Sequence, residues 1–300
     1  MDDLLKELES GNNRSLARFI SMVENEVTGY RDLLAGLTFK FTPIIGITGP
    51  PGAGKSTLIN GLASYLLNQN KRVAIVAVDP SSPFNMGSLM GDRLRMSEHF
   101  LNPNLYIRSM ASRGSLGGLA PKIFEVCDVL RAANFDAIII ETVGVGQSEV
   151  EIAGLADTTV LVLVPEAGDD IQTIKSGIME IADIFVLNKA DRDGADIFYK
   201  NLSYLAHTHA DSSWEIPVIK TVANKNEGVD LLVQAIENHS LILNTSSKKI
   251  HLLAQKAMMM IKNLRTLDIH MTELEKDLQE QCNKTDFNLY SYIERYSKQV

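Results

Sequence analysis

A doubly wound α/β domain with a mostly parallel sheet is the fold class this sequence predicts, and three observations predict it. From residue 44 onward, short apolar runs are separated by helical stretches. Most of these runs are continuous rather than alternating, which is the composition of strands buried on both faces of a helix-covered sheet. The first run, Ile44-Ile-Gly-Ile-Thr48, leads into Gly49-Pro-Pro-Gly-Ala-Gly54-Lys55-Ser56-Thr57 and then into an apolar helical stretch. Strand, glycine-rich loop and helix in that order open a nucleotide-binding α/β unit.

Taken in order, residues 2–37 read as helical. Leu4, Leu5 and Leu8 share one face, and Leu16, Phe19, Ile20 and Val23 repeat the helical period. No chemical motif lies there, so residues 1–39 are expected to be a packing extension. Strand candidates follow at 44–48, 73–78, 105–108, 137–141, 159–164, 184–187 and 217–220. They place the α/β domain over 40–240. Past residue 238 the composition shifts. Asn244-Thr-Ser-Ser-Lys-Lys is a polar linker, and 249–283 and 286–297 read as helices. Met258, Met259, Met260, Ile261, Leu264 and Leu267 cluster in that region of 241–300. A second subunit or this chain's own core would serve equally to cover them.

The whole-chain numbers are those of an ordinary globular protein: 300 residues, 45% hydrophobic and 22% charged. A formal net charge of −8 gives no field that attracts nucleic acid or anionic membranes, so a phosphate ligand must be held by local donors. Neither partner class is expected. The two cysteines, Cys127 and Cys282, have no metal-ligand spacing and read as thiols in a reducing compartment. The start Met-Asp-Asp is unlike a signal peptide, and no apolar run reaches the length of a membrane span. A cytoplasmic protein is expected; a matrix protein without its transit peptide would look the same. His207-x-His209 has no third ligand near it, and Trp214 reads as packing.

The loop Gly49, Pro50, Pro51, Gly52, Ala53, Gly54, Lys55, Ser56 has the pattern G-x-x-x-x-G-K-S. Its glycines let backbone amides turn inward around a β-phosphate, and the helix behind it adds a positive dipole end. Lys55 supplies a charge for the β and γ oxygens. The Ser56 hydroxyl is placed to ligate Mg²⁺, and Thr57 completes the loop. A second motif, Asn188-Lys189-Ala190-Asp191, follows the run Ile184-Phe-Val-Leu. A carboxylate at Asp191 accepts from N1–H and the exocyclic amine of guanine. Adenine offers no such pair, so the motif favours GTP over ATP. Asn188 would orient the loop, and Lys189 would lay its aliphatic stem on the base. Val222 and Ala223, just past the last strand candidate, are expected to line the same site.

Three acids fall at or beyond strand ends: Asp79 in Val78-Asp-Pro, Asp92 in Gly91-Asp-Arg, and Glu141 closing Ala137-Ile-Ile-Ile. The C-terminal ends of parallel strands converge on the phosphate loop. Acids there hold Mg²⁺ or position an attacking water; a solvated loop acid is the alternative for each. Glu141 ends an apolar run and needs a partner. Gly144, three residues on, is placed to donate its amide to a γ-phosphate.

Taken together these segments resemble the MeaB/ArgK group, G-protein chaperones of cobalamin-dependent acyl-CoA mutases such as methylmalonyl-CoA mutase, in the signal-recognition branch of P-loop proteins. The resemblance rests on long runs: 49–57, Val78-Asp-Pro-Ser-Ser-Pro-Phe84, Gly91-Asp92, Arg113-Gly-Ser-Leu-Gly-Gly-Leu-Ala120, Glu141-Thr-Val-Gly-Val-Gly-Gln-Ser-Glu149, Ala167-Gly-Asp-Asp-Ile-Gln-Thr-Ile-Lys175, and Asn188-Lys-Ala-Asp191. It covers about residues 12–240. It implies GTP hydrolysis to GDP with Mg²⁺, with Asp79, Asp92 and Glu141 around the metal and the nucleophilic water. It also implies a segment, 168–175, that contacts the client mutase. There Gln172 and Lys175 match residues implicated in client-stimulated hydrolysis, a lysine doing the work of an arginine finger; a solvated helix-face lysine is the other reading. Asn85-Met-Gly and Glu166 depart from the family pattern, and the tail after His239 matches it poorly. That tail helps form a homodimer in the family. Two other functions stand as alternatives. One is an ATPase or kinase linked to arginine/ornithine transport, against which Asp191 argues. The other is a metal-inserting GTPase, whose Cys/His-rich motifs are lacking.

Overall fold

In the computed structural model the described residues are 2–79, 99, 101–111, 120, 122–142, 148–168, 181–209, 214–243, 254, 257–258, 260–262, 264–266, 269, 271–281 and 288–297. Three helices open the chain: α1 (Asp2–Glu9), α2 (Asn13–Glu24) and α3 (Tyr30–Ala35). The α2 start is set by Asn12, whose side-chain oxygen accepts from the amides of Arg14 and Ser15 at 2.9 and 3.2 Å.

The α/β region then runs β1 (Ile44–Thr48), α4 (Lys55–Asn68), β2 (Val73–Asp79), β3 (Leu105–Ala111), α5 (Ile123–Ala132), β4 (Ala137–Glu141), α6 (Ser148–Leu155), β5 (Thr158–Leu163), β6 (Ile184–Asn188), α7 (Ala195–His209), β7 (Val218–Thr221) and α8 (Val229–Leu243). Short 3₁₀ turns at Pro165–Gly168 and Ala223–Lys225 follow β5 and β7. The seven strands form one sheet in the order β3-β2-β4-β1-β5-β6-β7. Every pairing is parallel.

All seven predicted strands are present, with ends moved by a residue or so. The exception is β3, which continues from the expected end at 108 to Ala111. Arg108 and Ser109 read as a strand end because they are polar. As an edge strand, β3 can keep them: Arg108 sits opposite Val76 and pairs with Glu24 of α2.

Side chains on the two faces of the sheet enter different cores. On β1, Ile44 belongs to one core, while Ile45 and Ile47 belong to the other, as the period of two requires. The first core joins Val76, Ile138 and Ile140 to Val126 and Leu130 of α5 and to Leu16, Phe19 and Ile20 of α2. The N-terminal helices thus cover the sheet alongside α5. The second core packs Leu58, Ile59 and Leu62 of α4 and Leu232 and Ile236 of α8 against Ile47, Ile75 and Val162. A third, around Phe185, Phe198 and Leu202, seats α7.

At the edge where strands begin, one device repeats three times. Asp136, Asp157 and Asp183 each stand one residue before a strand. Their amides donate to the carbonyls of Arg72, Ile44 and Thr159 at 2.8, 2.8 and 2.9 Å. Their carboxylates accept the amides of those same three residues at 2.7, 2.8 and 2.9 Å. Each aspartate thereby locks the register of β4 on β2, β5 on β1, and β6 on β5.

Contacts divide the chain into two compact units, Met1–Leu252 and Leu253–Val300. The second holds α9 (Met271–Gln281) and α10 (Leu289–Ser297). Among its described residues, Met258, Ile261, Leu264, Met271, Leu289, Tyr290 and Ile293 are exposed. No helix among the described residues is long and apolar enough to cross a membrane.

Candidate nucleotide site

The strand order places β1 between β4 and β5, so the chain leaves β1 at the point where connections diverge to the two sides of the sheet. Ligands of open α/β sheets bind there, beyond the carboxyl ends of the strands. The loop 49–54 occupies this position. Gly49 has φ 137°, and a Cβ on it would stand 2.1 Å from the carbonyl oxygen of Val162 in β5. Gly54, at φ 88°, would set a Cβ 2.4 Å from the amide nitrogen of Asn188. Both positions require glycine: each has a positive φ, and a Cβ would meet the β5 backbone at the first and the Asn188 side chain, at the end of β6, at the second.

Lys55 and Ser56 begin α4 and are buried. The Lys55 ammonium donates to the carbonyls of Gly49 and Pro50 at 2.8 and 3.1 Å. The charge thus lies in the concave side of the loop. The Ser56 hydroxyl donates to Glu141 Oε1 at 2.6 Å. Register explains how residues so distant meet: Glu141 ends β4 directly opposite Ile47 of β1, and it is 8% exposed. Thr142 donates its hydroxyl to Thr48 at 3.0 Å and its amide to Ile47 at 3.1 Å, which ties the two strand ends beneath the loop. Asp79 closes β2, two residues beyond Ala77, which pairs with Glu141. The Asp79 side chain and all of Asp92, Gly144, Gln172 and Lys175 lie outside the described residues.

The second motif reaches the phosphate loop directly. The Asn188 side chain is buried and donates to the carbonyl of Ala53 at 2.8 Å. Its oxygen accepts from the Ala223 amide and the Thr221 hydroxyl, both at 3.1 Å. Lys189 adopts φ 56° and donates its ammonium to Gly52 at 2.8 Å. Asp191 faces Lys225 at 3.5 Å. An open recess results, lined by Gly54, Thr57, Asn188, Lys189, Asp191, Arg192, Ala223 and Asn224. Its residues come from the phosphate loop, the loop after β6 and the turn after β7, so both motifs and Ala223 share one site. Val222 stands beside it, bridging Glu227 through backbone bonds at 3.1 and 3.4 Å.

Two polar contacts here have no motif that announces them. Thr221 completes the Asn188 network, and Glu166, in the turn after β5, forms an ion pair with Arg192 in the recess wall. Trp214 meets His239 with ring centroids 4.9 Å apart and planes tilted at 55°, and it donates to the Asp183 carbonyl at 2.8 Å.

Sheet order, loop and recess define a P-loop nucleotide-binding protein. Comparison with known proteins narrows the class. Residues 16–277 match the family of methylmalonyl Co-A mutase-associated GTPase MeaB, and the chain belongs to that family. A protein of Pyrococcus abyssi is 46% identical over 255 residues, covering 83% of this chain and 78% of that one. GTPase ArgK of Escherichia coli is 34% identical over 256 residues, covering 81% and 77%. A crystal structure of an LAO/AO transport system kinase superposes with TM-score 0.71 at 24% identity, covering 99% of this chain and 96% of that one; it bears out the fold. The chain is a P-loop GTPase that hydrolyses GTP.

Proposed function

We propose that this GTPase is a switch read by a cobalamin-dependent acyl-CoA mutase of the methylmalonyl-CoA type, gating cofactor loading and protecting the client. The family match carries the reading, and the site's geometry supports its chemistry. Asp191 reads guanine from the recess. Asn188 and Lys189 bind carbonyls of the phosphate loop, so base and phosphates are gripped by one connected frame. Lys55 exchanges the Gly49 and Pro50 carbonyls for β and γ oxygens when the triphosphate enters.

The donor set beside the loop fits Mg²⁺: a serine hydroxyl and a carboxylate 2.6 Å apart, oxygen donors only, at the end of a strand that abuts β1. Ser56 would ligate the ion and Glu141 would hold it or its water, with Asp79 and Asp92 as further acids. Bound there, the ion would spread the charge that builds on the β and γ oxygens. Gly144 is assigned to sense the γ-phosphate, and Gln172 and Lys175 to carry client stimulation. The exposed apolar residues of the second unit support a homodimer built through the region 241–300.

Turnover of GTP and ATP, each with and without a methylmalonyl-CoA mutase, tests the reading. GTP is expected to be the better substrate, with its turnover raised by the mutase. ATP preference, or no response to the mutase, overturns it. Asp191→Asn should move preference toward xanthine nucleotides, and unchanged GTP affinity would remove Asp191 from the base site.

A further inference from the structure

The recess wall carries an arrangement of charge that the phosphate and base motifs do not explain. Asp191 and Arg192 are consecutive, and both line the recess. The acid that must offer both oxygens to a base edge is therefore followed by an arginine of the same recess wall, and Lys225 faces the acid at 3.5 Å. A free guanidinium there would be drawn to the Asp191 carboxylate, since bidentate pairing is the favoured geometry for the two groups. It is otherwise engaged. Arg192 Nη1 donates to Glu166, whose turn Pro165–Gly168 follows β5 rather than β6. The same hydrogen bond holds the Glu166 carboxyl below the usual carboxylate range, with help from a backbone hydrogen bond of its own turn. Glu166 is thus charged at neutral pH and available to hold the arginine.

We propose that Glu166 is a positioning residue of the base site: it holds Arg192 back in the recess wall, so that the Asp191 carboxylate stays available to guanine. The inference rests on Asp191 as the base reader. Glu166 is not among the residues that line the recess; it acts through Arg192. Both side chains of the pair are about half exposed, 50% and 51%, so its effect is modest and screened by salt.

Binding of GDP and IDP at low and high salt tests it, in the full-length chain and in Glu166→Gln, Arg192→Gln, the double variant and Asp191→Asn. IDP lacks the exocyclic amine, so it reports whether the carboxylate is presented to both donors. Glu166→Gln should weaken GDP binding about two- to fivefold at low salt and IDP binding less. The loss should vanish when Arg192 is already glutamine and shrink at high salt. Equal losses for GDP and IDP would mean a merely structural role. An unchanged GDP affinity in Glu166→Gln, or an undiminished loss in the double variant, would overturn the inference. If Asp191→Asn leaves GDP binding intact, the base-site reading itself fails. If Asp191→Asn weakens binding and Glu166→Gln does not, only the role of Glu166 fails.

Discussion

Polar side chains at the two ends of the sheet hold on to different things. Where strands begin, Asp136, Asp157 and Asp183 bind backbone amides of neighbouring strands. Asp157 also takes Arg131 at 2.7 Å, and Asp183 has His239 at 3.4 Å. These partners are all within the fold. Where strands finish, Lys55, Asn188 and Lys189 hold carbonyls of the phosphate loop, and Ser56 holds Glu141. Lys55 and Ser56 hold groups at the mouth of the phosphate loop. The closed end sets strand register, while the open end keeps a charged loop in shape until a ligand arrives. Changes at the closed end should therefore alter stability, and changes at the open end should alter turnover.

The largest departure is expected from Lys55→Ala. In the role proposed for Lys55 it removes the charge that would meet the transferred phosphate, and losing one preorganised donor of this kind lowers kcat by about a hundred- to a thousandfold. Single-turnover hydrolysis measures this, and chemical denaturation should show little change in stability. A large fall in stability with intact turnover would break the division between the two ends.

Next in size is Asp183→Ala. The aspartate is buried, and the Thr159 amide it accepts is buried as well. An orphaned buried donor costs about 1–3 kcal/mol. Urea unfolding should show that loss, while the KM for GTP stays where it was. A shifted KM would mean that register at the start of β5 and β6 is transmitted to the base loop.

At the open end the phosphate loop and the segment Asn188–Asp191 were legible in the sequence, because each is a contiguous motif. Glycines that admit the β5 carbonyl, a lysine and a serine must follow one another at fixed spacing, and so must Asn188 and Asp191. The strands were legible because burial on both faces leaves unbroken apolar runs. The closed end was not. Each register lock is a single aspartate before an apolar run, as in Phe135-Asp-Ala, Ala156-Asp-Thr and Ala182-Asp-Ile. Its partner lies on a strand that topology, not sequence, brings alongside. The signal was nevertheless there: one acid immediately before three of the seven strands. Glu166 and Arg192 were illegible for the same reason, being contributed by the segments after two different strands.

The smallest effect, and the sharpest test of what the register lock consists of, is expected from Asp157→Asn. Asparagine keeps an oxygen that accepts the Ile44 amide, and it gives up the charge that faces Arg131. If the lock is the backbone hydrogen bond, the variant loses only the ion pair. That pair is partly exposed, with side chains 24% and 17% accessible, and is worth about 1 kcal/mol or less. Asp157→Ala gives up both contacts and should lose at least about 1 kcal/mol more. Denaturation of the two variants beside the unaltered chain separates the terms. Equal losses would place the whole contribution in the charge on Asp157. The three aspartates would then be cation partners that happen to precede strands, and Asp136, whose carboxylate accepts an exposed amide, would contribute little.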